Sequence, residues 1–277
     1  MSKRDEDRYE IDPDDGLKRE IVGEWSAEKH LRLRRYIDIT RETRKKYSSN
    51  RPAYVDLYCA TGRARIRETP DVVDGSAVVA ATMLDPPAGF TDLYFGDLEL
   101  EHLNACQARL QAANVPQNLY PLHGPAAETA KQVVKQINPY GLHLAFLDPY
   151  SIGALPFSVI ETLGSVKRMD LIIHISENDL QRNVIGKREF KRLDPFCPGW
   201  EGHVDRSAPN HVIKRQILEA WKANLASLGY KVSDNIERVR GDRNQPLYWL
   251  VLAARNDLAN RFWSAVSNVS PQRGFHF

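Results

Sequence analysis

Three acids stand at or near the carboxyl ends of apolar runs, where side chains could do chemistry. They are Asp56 in the run at 53–58, Asp97 closing the run at 90–97, and Asp148 in Leu142-His-Leu-Ala-Phe-Leu-Asp-Pro-Tyr150. In an open α/β sheet such strand ends face the binding crevice. An acid closing the second strand can accept hydrogen bonds from two ribose hydroxyls, so Asp97 suits a nucleoside-containing ligand. The alternative for Asp97 is a helix N-cap. Glu99 competes for the ribose role and is also well placed for the dipole of the helix that follows. If all three acids converged they could instead hold Mg²⁺ for a nuclease or other hydrolase.

The run at 53–58 ends in a small-residue turn, Cys59-Ala-Thr-Gly62. Small residues let a ligand approach the backbone closely. The turn is neither G-x-G-x-x-G nor G-x-x-x-x-G-K-[ST], so no pyrophosphate or triphosphate cradle is expected. A cofactor without phosphates, S-adenosylmethionine (SAM), fits this chemistry. Thr61 and Gly62 would supply the backbone approach beside Tyr58. Asp56 would orient the turn or meet the methionine ammonium. Cys59 has no base partner in the sequence and reads as a small wall residue rather than a nucleophile.

Asp148, Pro149 and Tyr150 have a mechanistic reading as an acceptor site. The segment resembles, in a shortened form with one Pro, the acceptor motif of amino-methyltransferases, which implies a carboxylate and a Pro-linked carbonyl that hold the hydrogens of an exocyclic nitrogen and aim its lone pair, with an aromatic that stacks on the base. The bland alternative is a strand-ending turn with a capping Asp. His30, His123, His143 and His174 show no ligand spacing, and no metal site is expected. His143 and His174 fall in buried runs and read as satisfied core or rim residues; the alternative is that His174 and Glu177 line a substrate pocket.

These residues need a scaffold. The chain has 277 residues, 42% hydrophobic and 27% charged, which suits a globular α/β domain. Its formal net charge is +2, so any nucleic-acid contact must come from a local patch. Three scattered cysteines, Cys59, Cys106 and Cys197, exclude a disulfide framework and suit a reducing compartment. The charged start is no signal peptide and no apolar run spans a bilayer, so the expectation is a cytoplasmic protein without membrane contact.

Residues 1–22 read as a flexible, charged arm. Residues 26–47 read as a helix with Ser26 as N-cap and Lys29 where a capping box would place Glu. One face of this helix carries Arg32, Arg34, Arg35, Arg41, Arg44, Lys45 and Lys46, either a solvated face or a stripe for phosphates. Strands are expected at 53–58, 90–97, 118–122, 142–150 and 169–176. Helices are expected at 75–84, 98–114, 126–137 and 156–165, and a charged loop at 63–74. Such alternation predicts a parallel sheet covered on both faces.

The rhythm breaks at 177–210, a polar and basic insert. It holds Arg182, Lys187, Arg188 and Lys191 as candidate nucleic-acid contacts. Phe190, Phe196 and Trp200 are interleaved as local core or, alternatively, as base-stacking groups. A helix at 211–228 and strands at 231–239 and 247–254 follow, the strands close enough to pair as an antiparallel hairpin. A last helix is expected at 258–266. Five helix-linked strands followed by a hairpin resemble the Rossmann-like sheet of class I SAM-dependent methyltransferases, with a single domain over 23–277.

Several segments in order also resemble one family. Glu28-Lys-His30, Tyr54-Val-Asp-Leu-Tyr-Cys-Ala-Thr-Gly-Arg63, Gly75-Ser-Ala77, Phe146-Leu-Asp-Pro-Tyr150 and Leu247-Tyr-Trp-Leu-Val-Leu are similar to the three-Cys-motif partner proteins (TcmP). The resemblance runs from about residue 24 to about 265. It implies a methyltransferase-like domain, a three-cysteine radical-SAM-like partner protein, and phage or mobile-element loci. The chain departs from the family pattern at Cys59, Ala60, Thr61, Ala77, His123 and Ser151. The combined expectation is a SAM-dependent methyltransferase acting on a nucleic-acid or nucleotide amine. A non-catalytic partner role and the Mg²⁺ hydrolase are the alternatives.

Overall fold

The computed structural model describes residues 8–233, 237–240 and 246–267. The chain begins with β1 (Tyr9–Ile11), β2 (Lys18–Val22), α1 (Trp25–Ile39) and α2 (Arg41–Lys45). Then come β3 (Ala53–Asp56), β4 (Arg63–Ile66), β5 (Val72–Asp74) and α3 (Ser76–Thr82). The alternating part follows as β6 (Asp92–Asp97), α4 (Leu100–Ala112), β7 (Asn118–His123), α5 (Ala126–Gln136), β8 (His143–Leu147), α6 (Phe157–Gly164) and β9 (Met169–Ser176). Last are α7 (Asn210–Ser227), β10 (Lys231–Val232), β11 (Glu237–Arg240), β12 (Pro246–Ala254) and α8 (Asp257–Ser267).

The large sheet runs β7-β6-β3-β8-β9, all parallel, and continues into β12. β12 is antiparallel to β9, and both β10 and β11 pair antiparallel with β12. Insertion of the last strand in reverse between the fifth strand and its own hairpin partner is the arrangement expected for a class I methyltransferase sheet. The Rossmann-like fold class is therefore as read from the sequence. β8 is buried at every position, and β9 at all but Asp170 and Ser176. Alternate residues feed two cores. Val55, Ala145, Leu147, Leu171 and Ile173 face one side. Tyr54, Leu144, Phe146 and Ile172 face the other. Helices on both faces explain why these strands read as continuous apolar runs rather than alternating ones.

The first helix is docked by polar contacts as well as packing. Tyr36 of α1 donates to Oδ2 of Asp170 at 3.0 Å, and Tyr248 of β12 donates to the Trp25 carbonyl at 3.0 Å. Burial pushes the Asp170 carboxyl up to about 6 despite that hydrogen bond. α1 starts one residue before Ser26, with Glu24 as its N-cap position, and Ser26 is buried in the first turn. The expected cap is thus displaced, because the chain enters the helix through the Gly23–Ser26 turn. The expected basic stripe is partly structural. Arg32 pairs with Glu28, and buried Arg44 donates to the carbonyls of Ile37 and Ala88.

Two segments differ from the sequence reading. From Tyr9 to Val22 the expected flexible arm forms β1 and β2, and the expected loop at 63–74 contains β4 and β5. Together they make a second sheet in the order β1-β2-β4-β5. Its acids look like a solvated run only until their partners are known. Glu10 meets Arg19 at 2.6 Å and Arg65 at 2.7 Å, and fully buried Asp12 meets Arg19 at 3.0 Å and Arg63 at 3.2 Å.

The insert is packed rather than loose. It carries short helical turns at Glu177–Asp179, Leu180–Ile185, Phe190–Leu193 and Trp200–Gly202. Phe190, Phe196 and Trp200 are buried, and the Phe196 ring stacks on Trp221 of α7 with centroids 5.8 Å apart. Burial removes the base-stacking alternative for these three side chains. No described helix is long and apolar enough to cross a membrane.

Candidate functional site

A cleft of about 1300 Å³ opens at the carboxyl ends of β3, β6, β8 and β9. One wall comes from the small sheet, through Tyr9, Glu10, Lys18 and Glu20, and another from α1, through Lys29 and His30. The turn after β3 lies in the cleft with two left-handed residues, Ala60 at φ +49° and Gly62 at φ +76°. Ala60 tolerates this conformation because its N–H donates to Asp97 Oδ2 at 3.0 Å. The other oxygen of Asp97 accepts from the Glu99 N–H at 2.9 Å. Glu99, not Asp97, occupies the N-cap position of α4. Both acids line the cleft, with Leu98 58% exposed between them.

Two of the expected ligand contacts lie behind the turn instead. Asp56 and Thr61 are fully buried and do not line the cleft. Asp56 accepts from the Tyr58 N–H at 3.1 Å and from the Ser76 hydroxyl at 2.5 Å. Burial pushes its carboxyl up to about 7, against the pull of those hydrogen bonds. Thr61 donates from its hydroxyl to the Arg63 carbonyl at 2.8 Å. These two residues hold the turn, and Gly62 and Tyr58 reach the cleft. The Tyr58 hydroxyl donates to the Ala154 carbonyl at 2.8 Å, which fixes its ring as wall. Cys59 also lines the cleft, and burial, then its contact with Cys106, pushes its thiol well above the usual range. That matches a wall residue rather than a nucleophile.

At the other end of the cleft Asp148 gathers partners that its sequence neighbours do not suggest. Lys29 Nζ lies 2.5 Å from its Oδ2. His174 Nδ1 lies 3.3 Å from its Oδ1 without forming a hydrogen bond. Burial opposes the Asp148 charge, but Lys29 and then His174 outweigh it and hold the carboxyl below the usual range. Burial pushes His174 down to about 4, so its ring is neutral near pH 7, and it packs against Tyr248 at 4.5 Å. His30 is likewise pushed down to about 4 by burial, then by Lys29, and its Nδ1 has no hydrogen-bond partner. Pro149 lines the cleft, and Tyr150 stands 74% exposed at its mouth.

Lys29 and His30 are the residues that sequence reasoning undervalued. The signal for Lys29 was a lysine three residues after Ser26, the expected cap, and His30 carried none. His143 is a core residue as expected. Its Nδ1 accepts from the Ala53 N–H at 3.0 Å, and its Nε2 lies 2.7 Å from the Asn138 carbonyl. Arg182, Lys187, Arg188 and Lys191 are exposed on the insert, and none lines the cleft. Asp56, Asp97 and Asp148 do not converge. Each has its own partners, and among the described residues no group of three or more His, Cys, Asp or Glu side chains could hold a metal ion.

No family model and no curated protein matches the chain. Solved structures do resemble it. An O-methyltransferase from Bacillus cereus in complex with SAH has a TM-score of 0.49 at 11% identity, covering 84% of this chain and 82% of that one. The O-methyltransferase TomG from Streptomyces achromogenes, in complex with SAM, has a TM-score of 0.45 at 11% identity, with 84% and 92% covered. A protein from Legionella pneumophila of the DUF519 family has a TM-score of 0.49 at 10% identity, with 87% and 93% covered. The sheet order and the cleft at its carboxyl edge define the chain as a protein of class I methyltransferase fold.

Proposed function

We propose that the chain is a SAM-dependent methyltransferase of the three-Cys-motif partner kind, acting on an amine of a nucleic acid or nucleotide. The observation that carries the reading is the cleft itself, which spans the carboxyl edge of the sheet from Asp97 at the end of β6, past the turn after β3, to Asp148 and Tyr150 after β8. Its chemistry suits this cofactor. An acid pair at Asp97 and Glu99 can take ribose hydroxyls, exposed Leu98 offers an apolar face to a flat ring, and the glycine turn permits backbone approach. The volume exceeds what a nucleoside needs and leaves room for an acceptor. Bound SAM supplies an electrophilic methyl group, so the protein's own work is alignment and exclusion of water.

In this reading Ala60, Gly62, Asp97 and Glu99 hold the cofactor, with Tyr58 as wall, while Asp56 and Thr61 support the turn. Asp148, Pro149 and Tyr150 hold the acceptor. The Asp148 carboxylate accepts an N–H of the amine, and neutral His174 beside it is able to take a proton. The exposed cations of the insert are the polynucleotide contacts. The partner is a three-cysteine radical-SAM-like protein, by the family resemblance.

One observation favours a non-catalytic partner instead: Lys29 already occupies an oxygen of Asp148. Calorimetric titration with SAM and S-adenosylhomocysteine (SAH) tests the main reading, which predicts heat and a thermal shift with both. No heat and no shift at millimolar ligand removes it. Asp148→Asn separates the two readings. Loss of methyl transfer by a folded variant supports catalysis, and intact activity of the protein with its partner supports the scaffold.

A further inference from the structure

Arg109 of α4 sits where the N-terminal strands meet the turn after β3. Its Nη1 donates to the Thr61 carbonyl at 2.7 Å and to the Lys18 carbonyl at 2.9 Å. Its Nε and Nη2 grip Asp15 at 2.8 and 3.0 Å, and the side chain is buried. Arg63, the residue after Gly62, makes a parallel link, with Nη1 3.2 Å from Asp12 and Nη2 3.2 Å from Asp14. One planar guanidinium therefore satisfies a carbonyl of the turn, a carbonyl of β2 and a carboxylate between β1 and β2. Its fork geometry fixes all three together, which a lysine's point charge does not.

The strands so held carry part of the cleft. Tyr9 stacks on His102 with ring centroids 4.6 Å apart, and Lys18 Nζ lies 2.5 Å from Glu101. Tyr9, Lys18, Glu101 and His102 all line the cleft, beside Asp97 and Glu99. We propose that Arg109 is a positioning residue for ligand binding. It locks the Thr61 carbonyl to the N-terminal strands, so that β1 and β2 are a built wall of the cofactor cleft rather than an appendage to the domain. The inference rests on the reading of this cleft as the SAM site.

The test compares wild type with Arg109→Met, Arg109→Lys, Asp15→Asn and the double variant Arg109→Met/Asp15→Asn. Affinity for SAH is measured by calorimetry, and amide hydrogen exchange is measured in the ligand-free proteins. Both Arg109→Met and Asp15→Asn weaken SAH binding by roughly tenfold or more. The double variant is no weaker than Arg109→Met alone, because Asp15 acts on the turn only through Arg109. Arg109→Lys does not restore binding. Exchange at 60–63 rises in step with exchange at 9–22. Wild-type affinity in both single variants overturns the proposal, as does faster exchange confined to 9–22. Asp15→Asn keeps the test decisive if Arg109→Met does not fold. If wild type itself binds no SAH, the methyltransferase reading falls, and the exchange data alone decide whether Arg109 couples the turn to the strands.

Discussion

The ε-ammonium of Lys29 lies 2.5 Å from Oδ2 of Asp148, joining the first helix to the end of β8 inside the cleft. The side chains retain 12% and 17% exposure, so the pair falls between a surface ion pair and a fully buried one. Lys29→Met should therefore cost on the order of 2 kcal/mol at neutral pH, read by urea unfolding. The sign of the pH effect follows from the direction of the shift. The folded carboxyl titrates below 3.8, so its contribution is complete above 3.8 and is lost as pH falls through the folded value. The gap between wild type and variant should thus be widest near pH 7 and shrink in acid. In the variant, carboxyl NMR should find Asp148 titrating higher than in wild type. An unchanged Asp148 titration would show that Lys29 does not set its charge.

Gly62→Ala should damage both fold and cleft. The residue has φ +76°, and an added Cβ would lie 3.0 Å from Cys106 Sγ and 3.1 Å from Cys106 Cα. Left-handed backbone costs a side chain about 1 kcal/mol, and overpacking about 1–3 more. Gly199 has the same φ of +76° with nothing within 4 Å of an added Cβ. Gly199→Ala therefore isolates the backbone cost of about 1 kcal/mol. Denaturant unfolding of the two variants should separate them by the packing cost, and only Gly62→Ala should weaken SAH binding.

What was legible in the sequence was whatever local pattern decides. β8 and β9 announce themselves because both faces of the sheet are covered, which makes most of their positions apolar. The reversed last strand followed from two strands too close in sequence for a crossover. The small sheet was not legible, because β1 and β2 depend on Arg19, Arg63, Arg65 and Arg109 to neutralise Glu10, Asp12, Asp14 and Asp15. Without those partners the same acids indicate a solvated arm. The site divided along the same line. Strand-end acids were found, but Asp56 and Thr61 turned inward, since alternation along β3 and the folding of the turn decide direction only in three dimensions. Lys29 reached Asp148 only once α1 was docked through Tyr36 and Tyr248.

Asp56 gives the chain a stability slope opposite to that of Asp148. Burial raises its carboxyl to about 7 in the folded state, against 3.8 unfolded. Between those values the folded protein keeps a proton that the unfolded chain has released. Stability then falls as pH rises across that window, by at most about 1.4 kcal/mol per unit, and levels off above about 7. Asp56→Asn removes the titration while leaving an acceptor for the Tyr58 N–H. Its thermal midpoint relative to wild type should rise steadily from pH 4 to pH 8. Parallel midpoints across that range would mean that Asp56 is ionised throughout.

The basic insert makes a separable prediction about polynucleotide binding. Arg182, Lys187 and Lys191 are exposed, have no ion-pair partner among the described residues, and lie outside the cleft. Arg188 is a poorer probe, because its Nη1 donates to the Arg206 carbonyl at 3.0 Å and its removal could loosen the insert. A cation that pairs with a phosphate releases counterions. Each such pairing removed should therefore reduce the slope of log affinity against log salt by about 0.7 for a single strand or about 0.9 for a duplex. The triple variant Arg182→Gln/Lys187→Gln/Lys191→Gln should bind a mixed-sequence oligonucleotide more weakly and with a flatter salt dependence. Its SAH affinity should stay at the wild-type value, since none of the three lines the cleft. Equal oligonucleotide affinity and equal slope would assign the insert to packing alone.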